Sequence, residues 1–354
     1  MTVLPPRHGP GKRVMTKRTT IDDVAKLANV HKATVSRALN AETEAKVSPE
    51  TVKRIKRAAR QLGYVPNVMA RGLRTSLSMT IGVIIPDLTN PFFPPVIRGI
   101  ENYLQPRGYT ALLANTDGQD AIEVAAFGSL LTRRVDGFIM ATGRHGDQTV
   151  VAQAYQLGVP AVMLNREAGS IPYPLVTGND ASGIAAAVNH LVELGHRDIL
   201  HVAGPFNLST SIVRSAAFTA ACAAVKGVRG RVIEASALSI DAGRRSVDNV
   251  LSEPGQRATA IVGGNDLLAL GALRSLRAHG LSCPEDMSVI GFNDMEFAED
   301  FAPPLTTVRV PVVDMGTEAA RLLLRNIESG TQEPITLTLP VSLIVRSSTG
   351  PARR

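Results

Sequence analysis

The sequence predicts an N-terminal all-α domain of three short helices, followed by an α/β core of two doubly wound parallel-sheet subdomains. Three observations carry this. Residues 1–78 hold 16 Lys and Arg against 5 Asp and Glu, a net of +11, whereas the rest of the chain holds 22 against 26, a net of −4. Within the basic block, residues 19–63 fall into three stretches with helical apolar spacing and helix start signals. From Thr80 onwards, short apolar runs alternate with helical stretches, in two successive series.

The chain has 354 residues, 44% hydrophobic and 19% charged, which suits a soluble globular protein of two or three domains. No apolar run approaches the roughly 20 residues needed to span a bilayer, so no membrane partner is expected. The first 18 residues, MTVLPPRHGPGKRVMTKR, are basic but lack an apolar h-region. They read as a flexible arm rather than a secretory signal, with Met15 as an alternative start to Met1. The two cysteines, Cys222 and Cys283, imply no disulfide framework and fit a reducing cytoplasm. No G-x-G-x-x-G, P-loop, H-E-x-x-H or G-x-S-x-G stands at a strand-to-helix junction. Catalytic residues, metals and cofactors are therefore not expected.

The elements follow in order. Thr20-Ile21-Asp22-Asp23 has capping-box spacing, with Asp in the usual Glu or Gln place, and Ile21, Val24, Ala25, Leu27 and Ala28 continue it at helical intervals. Asn29 tolerates the left-handed conformation of a tight turn. The next helix carries KATVSRALN, residues 32–40: Val35 and Leu39 make a buried stripe, while Lys32, Ala33, Ser36, Arg37 and Asn40 lie opposite. A third helix starts at Ser48 with Pro49 in its first position, buries Val52, Ile55, Ala59 and Leu62, and ends at Gly63. Two helices joined by a tight turn in a basic block form a helix-turn-helix, whose second helix enters the major groove of DNA. Arg37 suits the O6 and N7 acceptors of guanine, and Lys32 and Ala33 reach bases or a thymine methyl. Thr34 and Ser36 suit phosphates, and Thr20 and Asn40 complete the contact set. A plain solvated helix face is the alternative. After Pro66, residues 67–74, NVMARGLR, contain Gly72 and make a poor independent helix, one that forms only when something orders it.

The core runs are TIGVIIP (80–86), TALLAN (110–115), GFIMA (137–141) and AVMLN (161–165), then DILHVAG (198–204), RVIEA (231–235), AIVGG (260–264) and SVIGF (288–292). Helical stretches such as residues 96–104, 127–134, 181–194 and 267–278 separate them. Mostly apolar strands alternating with helices mean parallel sheets covered on both faces. Two series mean two subdomains with a ligand cleft between them.

These motifs, in this order, resemble the lactose-repressor/galactose-repressor (LacI/GalR) family. The match runs from about Thr19 to about Ser348 and is carried by TIDDVAKLANVHKATVSRALN, VSPETVKRIKRAARQLGYVPNVMARGLR, IGVIIPDLTNPFF, HLVELGHRDILHVAGP, GGNDLLALGAL, SVIGFND and PPLTTVR. The resemblance implies a DNA-binding domain at 19–66, a hinge helix and linker at 67–78, and a core at 79–348 like the periplasmic sugar-binding proteins. With three crossovers, subdomain one is expected at 79–177 plus 283–308 and subdomain two at 178–282 plus 309–346. It further implies a cytoplasmic homodimer that represses transcription from a pseudo-palindromic operator under control of a small-molecule effector, a sugar or sugar acid. Leu73 falls where the family wedges a leucine into the minor groove, and Asn67 and Ala70 of the same segment count with the DNA contacts. A tetramerising heptad helix is not expected after the last strand, where the sequence reads SSTGPARR.

For the effector, the resemblance points to Asn90, Phe92 and Phe93 after TIGVIIP, Arg166 after AVMLN, Arg214, Asn265 and Asp266, and Asp294 after SVIGF. Asp266 and Arg214 would supply an acceptor and a fork of donors for hydroxyls. Asp266 equally suits a cap for a helix beginning at Leu267, and the Phe pair equally suits the core. The chain departs from the family pattern at three places. His31 replaces a capping Ser, Asn179-Asp180 reverses the usual Asp-Asn, and Leu238 stands where sugar binders often carry an aromatic. A periplasmic binding protein and a dinucleotide-dependent enzyme are the competing classes. The basic head argues against the first and the missing glycine motif against the second.

Overall fold

The computed structural model describes residues 19–39, 43–64, 77–146, 149–167 and 169–353. The basic arm, Asn40, and the hinge residues Asn67, Ala70 and Leu73 lie outside them. The chain forms two compact units, Met1–Ser76 and Leu77–Arg354.

The first unit contains α1 (Ile21–Leu27), α2 (Lys32–Ala38) and α3 (Pro49–Gln61). The capping box forms: Thr20 Oγ1 accepts from the Asp23 amide at 3.4 Å, and Asp23 Oδ2 accepts from the Thr20 amide at 2.9 Å. Asn29 takes the left-handed turn with φ +50°. Val24, Val35, Ala38, Val52 and Ile55 close one small core. Ala38 takes the fully buried place that the sequence reading gives to Leu39, which is half-buried at the end of α2.

The second unit is two six-stranded sheets. The first contains β1 (Thr80–Ile85), β2 (Thr110–Asn115), β3 (Gly137–Met140), β4 (Ala161–Leu164), β5 (Leu175–Gly178) and β11 (Thr336–Leu339), in the order β11-β5-β4-β3-β1-β2 and all parallel. The second contains β6 (Asp198–Ala203), β7 (Arg229–Glu234), β8 (Ala260–Gly263), β9 (Ser288–Asn293), β10 (Thr306–Arg309) and β12 (Ser342–Ile344), in the order β12-β10-β9-β8-β6-β7. Only β12 runs antiparallel, against β10. The helices are α4 (Phe93–Leu104), α5 (Asp120–Thr132), α6 (Thr149–Gln156), α7 (Asp180–Glu193), α8 (Ser209–Ala223), α9 (Ile240–Leu251), α10 (Asp266–Ala278) and α11 (Val312–Ser329). All eight apolar runs marked in the sequence are strands, while β5, β10, β11 and β12 are additional.

The chain crosses between sheets three times, after β5, β10 and β11. The partition of the C-terminal part differs from the expected one. Residues 283–308 belong with the second sheet, because Ser288 of β9 pairs with Ala260 and Thr306 of β10 pairs with Ile290. Most of 309–346 belongs with the first, because α11 packs on α4, β3, β4 and β5, and β11 pairs with β5. Glycine decides the helix pair. A Cβ at Gly316 would sit 2.0 Å from the Val96 carbonyl oxygen, and one at Gly99 would sit 2.0 Å from that of Val313. Only glycines let the two backbones come so close, burying Met315, Ala319 and Leu323 of α11 in the shared core.

Candidate functional site

On the first unit, α2 presents Lys32, Ala33, Ser36 and Arg37 to solvent, with Thr34 half-buried. The helix keeps its N-cap despite the change from serine: His31 Nδ1 accepts the Ala33 amide at 3.2 Å. The Thr20 hydroxyl is engaged in the α1 cap, donating to Asp23 Oδ2 at 2.7 Å. Two cations of α3 are tied down locally. Arg54 Nε donates to the Ala28 carbonyl at 3.0 Å, and Lys56 pairs with Glu44 at 2.8 Å. Arg37 makes no such side-chain bond among the described residues and stands exposed beside Lys32 and Ser36. An exposed guanidinium on the second helix of a helix-turn-helix has the geometry for major-groove readout.

In the second unit, a cavity of about 20 Å³, room for about one water, lies between the two sheets. Its walls are Asn90, Phe92, Phe93, Asn165 and Arg166 from the first subdomain, and Thr210, Arg214, Leu238, Asn265 and Asn293 from the second. A wider opening of about 590 Å³ adjoins it, sharing Asn90, Arg166 and Leu238 and adding Asp87, Asp117 and Arg144. Several of these residues sit at carboxyl ends of strands: Asn165 after β4, Asn265 after β8 and Asn293 closing β9. That is where open α/β sheets bind ligands. Two hydrogen bonds join the subdomains beside the cavity. The His145 amide donates to the Asn207 carbonyl at 2.7 Å, and the Glu167 amide to Ser209 Oγ at 3.3 Å.

Each polar wall residue has a cause for its position. Arg214, on α8, is buried; its Nε donates to Asp180 Oδ2 at 2.7 Å and its Nη1 to the Gly264 carbonyl at 2.6 Å. Its guanidinium carbon lies 3.8 Å from the centroid of the Phe292 ring. Asp180 therefore holds the arginine, while Asn179 caps α7 by accepting the Ser182 amide at 3.2 Å. Asn265 caps α10 through the Leu268 amide at 2.8 Å, so the capping role considered for Asp266 belongs to its neighbour. Asn90 Oδ1 accepts the Phe92 amide at 3.1 Å, which sets the loop that brings Phe92 to the wall. Phe92 and Phe93 meet edge to face with centroids 5.2 Å apart, serving core and cavity together. Arg166 is 6% exposed, and its Nε has no hydrogen-bond partner. Burial, followed by repulsion from Arg144 and Arg214, lowers its pKa to about 10, so it stays cationic at neutral pH.

The structure brings Asn90, Phe92, Phe93, Arg166, Arg214 and Asn265 together as the sequence reading expects. It does not put Asp266 or Asp294 on the cavity wall. Both oxygens of Asp266 are used internally: Thr307 Oγ1 donates to Oδ1, and the Met295 amide to Oδ2 at 2.7 Å. Burial, with a smaller push from Asp294, raises its pKa to about 6. Asp294 is paired with Arg309 at 2.6 Å and Arg346 at 2.8 Å. Asn165, Thr210 and Asn293 also line the cavity, beyond the residues expected from the sequence. Asn165 and Asn293 carried a readable signal, since each is the polar residue at the end of an apolar strand run.

Residues 20–67 match the family model of bacterial regulatory proteins, lacI family, and residues 188–349 match the periplasmic binding protein-like domain. The HTH-type transcriptional repressor CytR of Escherichia coli is 34% identical over 333 residues, 93% of this chain and 96% of that protein. The chain belongs to the LacI family. Among solved structures, the Lac repressor dimer bound to operator and the anti-inducer ONPF superposes with a TM-score of 0.83 at 28% identity, covering 94% of this chain and 100% of that one. A transcriptional regulator CelR–cellobiose complex gives a TM-score of 0.71 at 31% identity, with the same coverage. LacI-family membership makes the chain a DNA-binding transcriptional regulator, not an enzyme. No helix among the described residues is long and apolar enough to cross a membrane.

Proposed function

We propose that this LacI-family member is a cytoplasmic homodimeric repressor whose affinity for a pseudo-palindromic operator is set by a small molecule held in the cleft between the core subdomains. The observation that carries the reading is the cleft itself: an opening of about 590 Å³ walled by both subdomains, leading to a small inner cavity at the carboxyl ends of their strands. Its size suits a sugar or sugar derivative. Relatives crystallised with cellobiose, and as an operator-bound dimer, support this assignment. Arg37 reads a guanine in each half-site, Lys32 and Ala33 contact neighbouring base edges, and Thr34 and Ser36 contact phosphates. Residues 67–73 form a hinge helix on operator DNA, with Leu73 wedged at its centre and Asn67 and Ala70 beside it.

A ligand touching both walls favours one inter-subdomain angle, acting on the same closure that His145–Asn207 and Glu167–Ser209 make. It shifts operator affinity only by its differential affinity for the two arrangements, about 1–3 kcal/mol in typical cases. The test is reciprocity. The operator is first selected from random duplex DNA with the full-length protein. A ligand found by thermal shift is then titrated with and without that operator. The ligand should change operator Kd roughly 5–150-fold, and the operator should change ligand Kd by the same factor. Ligand binding that is indifferent to operator would overturn the mechanism.

A further inference from the structure

We infer that the effector is an anion, a carboxylate- or phosphate-bearing small molecule whose charged group is received by Arg166 at the mouth of the inner cavity. This rests on the proposed effector cavity and specifies its ligand. Three observations lead to it. First, the cavity wall holds two guanidiniums, Arg166 and Arg214, and no carboxylate. Its four asparagines donate as well as accept, so the wall is rich in donors and short of acceptors.

Second, the two cations differ. Arg214 is already neutralised by Asp180 and satisfied by the Gly264 carbonyl. Arg144, at the wider opening, is paired with Asp120 and donates to the Gly118 carbonyl. Arg166 has no carboxylate within ion-pair distance and no side-chain hydrogen bond among the described residues, although it is more than nine-tenths buried; Glu123 favours its charge through space, but burial and the like charges of Arg144 and Arg214 outweigh it. A buried, unpaired charge is costly unless something compensates it. A planar fork of donors suits a bidentate oxyanion.

Third, Arg166 lines both the inner cavity, which has room for about one water, and the wider opening of about 590 Å³, so an anion entering the opening meets Arg166 at the junction of the two. The outer opening carries Asp87 and Asp117 beside its cations, whereas the inner wall carries no acid. The carboxylates that would accept sugar hydroxyls, Asp266 and Asp294, are occupied elsewhere. The opening of about 590 Å³ admits a compact acid at the mouth of the inner cavity.

The test compares full-length wild type with Arg166→Met. Without ligand, Arg166→Met should melt at or above the wild-type temperature, because it removes an unpaired buried charge while keeping the bulk. Inorganic phosphate at fixed ionic strength should stabilise the wild type and not the variant. Glucose, glucuronate and glucose 6-phosphate then form a matched set. Tighter binding of glucuronate assigns a carboxylate, and tighter binding of glucose 6-phosphate a phosphate ester, by about tenfold over glucose for one charge-assisted contact. A lower melting temperature for unliganded Arg166→Met, or a phosphate response equal in both proteins, would overturn the inference. A neutral compound that binds both proteins equally and still shifts operator affinity would leave the effector cavity standing and remove only the anion. If no compound binds the core of either protein, both fall.

Discussion

Replacing Asp266 by asparagine should stabilise the protein at neutral pH, and the size of the gain follows from the structure. The residue is 1% exposed, and burial raises its pKa from 3.8 to about 6. A carboxyl group whose folded pKa lies above its unfolded value binds its proton more tightly in the folded state. Its contribution to stability is therefore complete below about pH 4 and is lost as pH rises through about 6. Roughly two pKa units at about 1.4 kcal/mol each amount to about 3 kcal/mol lost at neutral pH. Asparagine keeps the local bonds. Its Oδ1 accepts the Met295 amide, and its Nδ2 donates to Thr307 Oγ1, whose hydroxyl turns to accept. Melting curves of wild type and Asp266→Asn from pH 4 to pH 8 test this. The variant should gain up to about 3 kcal/mol at pH 7.5, or about 6–12 °C, and the two curves should converge near pH 4. A variant less stable than wild type at pH 7.5, or a difference independent of pH, would refute the reasoning. Because Asp266 is off the cavity wall, the variant should also keep its response to effector. Loss of that response alongside the stability gain would return Asp266 to the ligand.

Arg37→Ala should relax preference at one base position per half-site by roughly 1–3 kcal/mol, read by selection from random duplexes; equal weakening on all sequences would make it a phosphate contact. Leu73→Ala should reduce DNA bending and specificity together, measured by circular-permutation mobility and by competition with random DNA; unchanged bending rejects the wedge. Asp180→Asn removes the carboxylate paired with the buried Arg214, leaving only the more distant charge of Asp266, and should cost up to about 3–5 kcal/mol in chemical denaturation. A loss under about 1 kcal/mol would mean that the Gly264 carbonyl and the Phe292 face suffice.

The sequence shows most of the sheets because β1, β3, β4, β6, β8 and β9 are apolar along nearly their whole length, as strands covered on both faces must be, while β2 is an apolar but partly exposed edge strand. It hides β10, TTVR, whose threonines are fully buried although polar. The same omission explains why Asp266 and Asp294, expected at the site, stand off the cavity wall. Thr307 of β10 satisfies Asp266, and Arg309 at the end of β10 pairs with Asp294. A carboxylate following a strand end reads as a ligand contact until its internal partners are known, and here one partner of each arrives on the same unmarked strand. Its register is set against β9, where Gly291 leaves room: a Cβ there would sit 2.1 Å from Asp266 Oδ1. Pairing of this kind joins residues far apart in the chain, as β11 joins β5, and local pattern does not encode it. Asn90, Arg166 and Arg214 were legible because nothing on a late strand claims them from the cavity. The consequence is chemical. With both acids withdrawn by β10, the cavity keeps its arginines and loses its carboxylates, and so favours a ligand that brings its own negative charge.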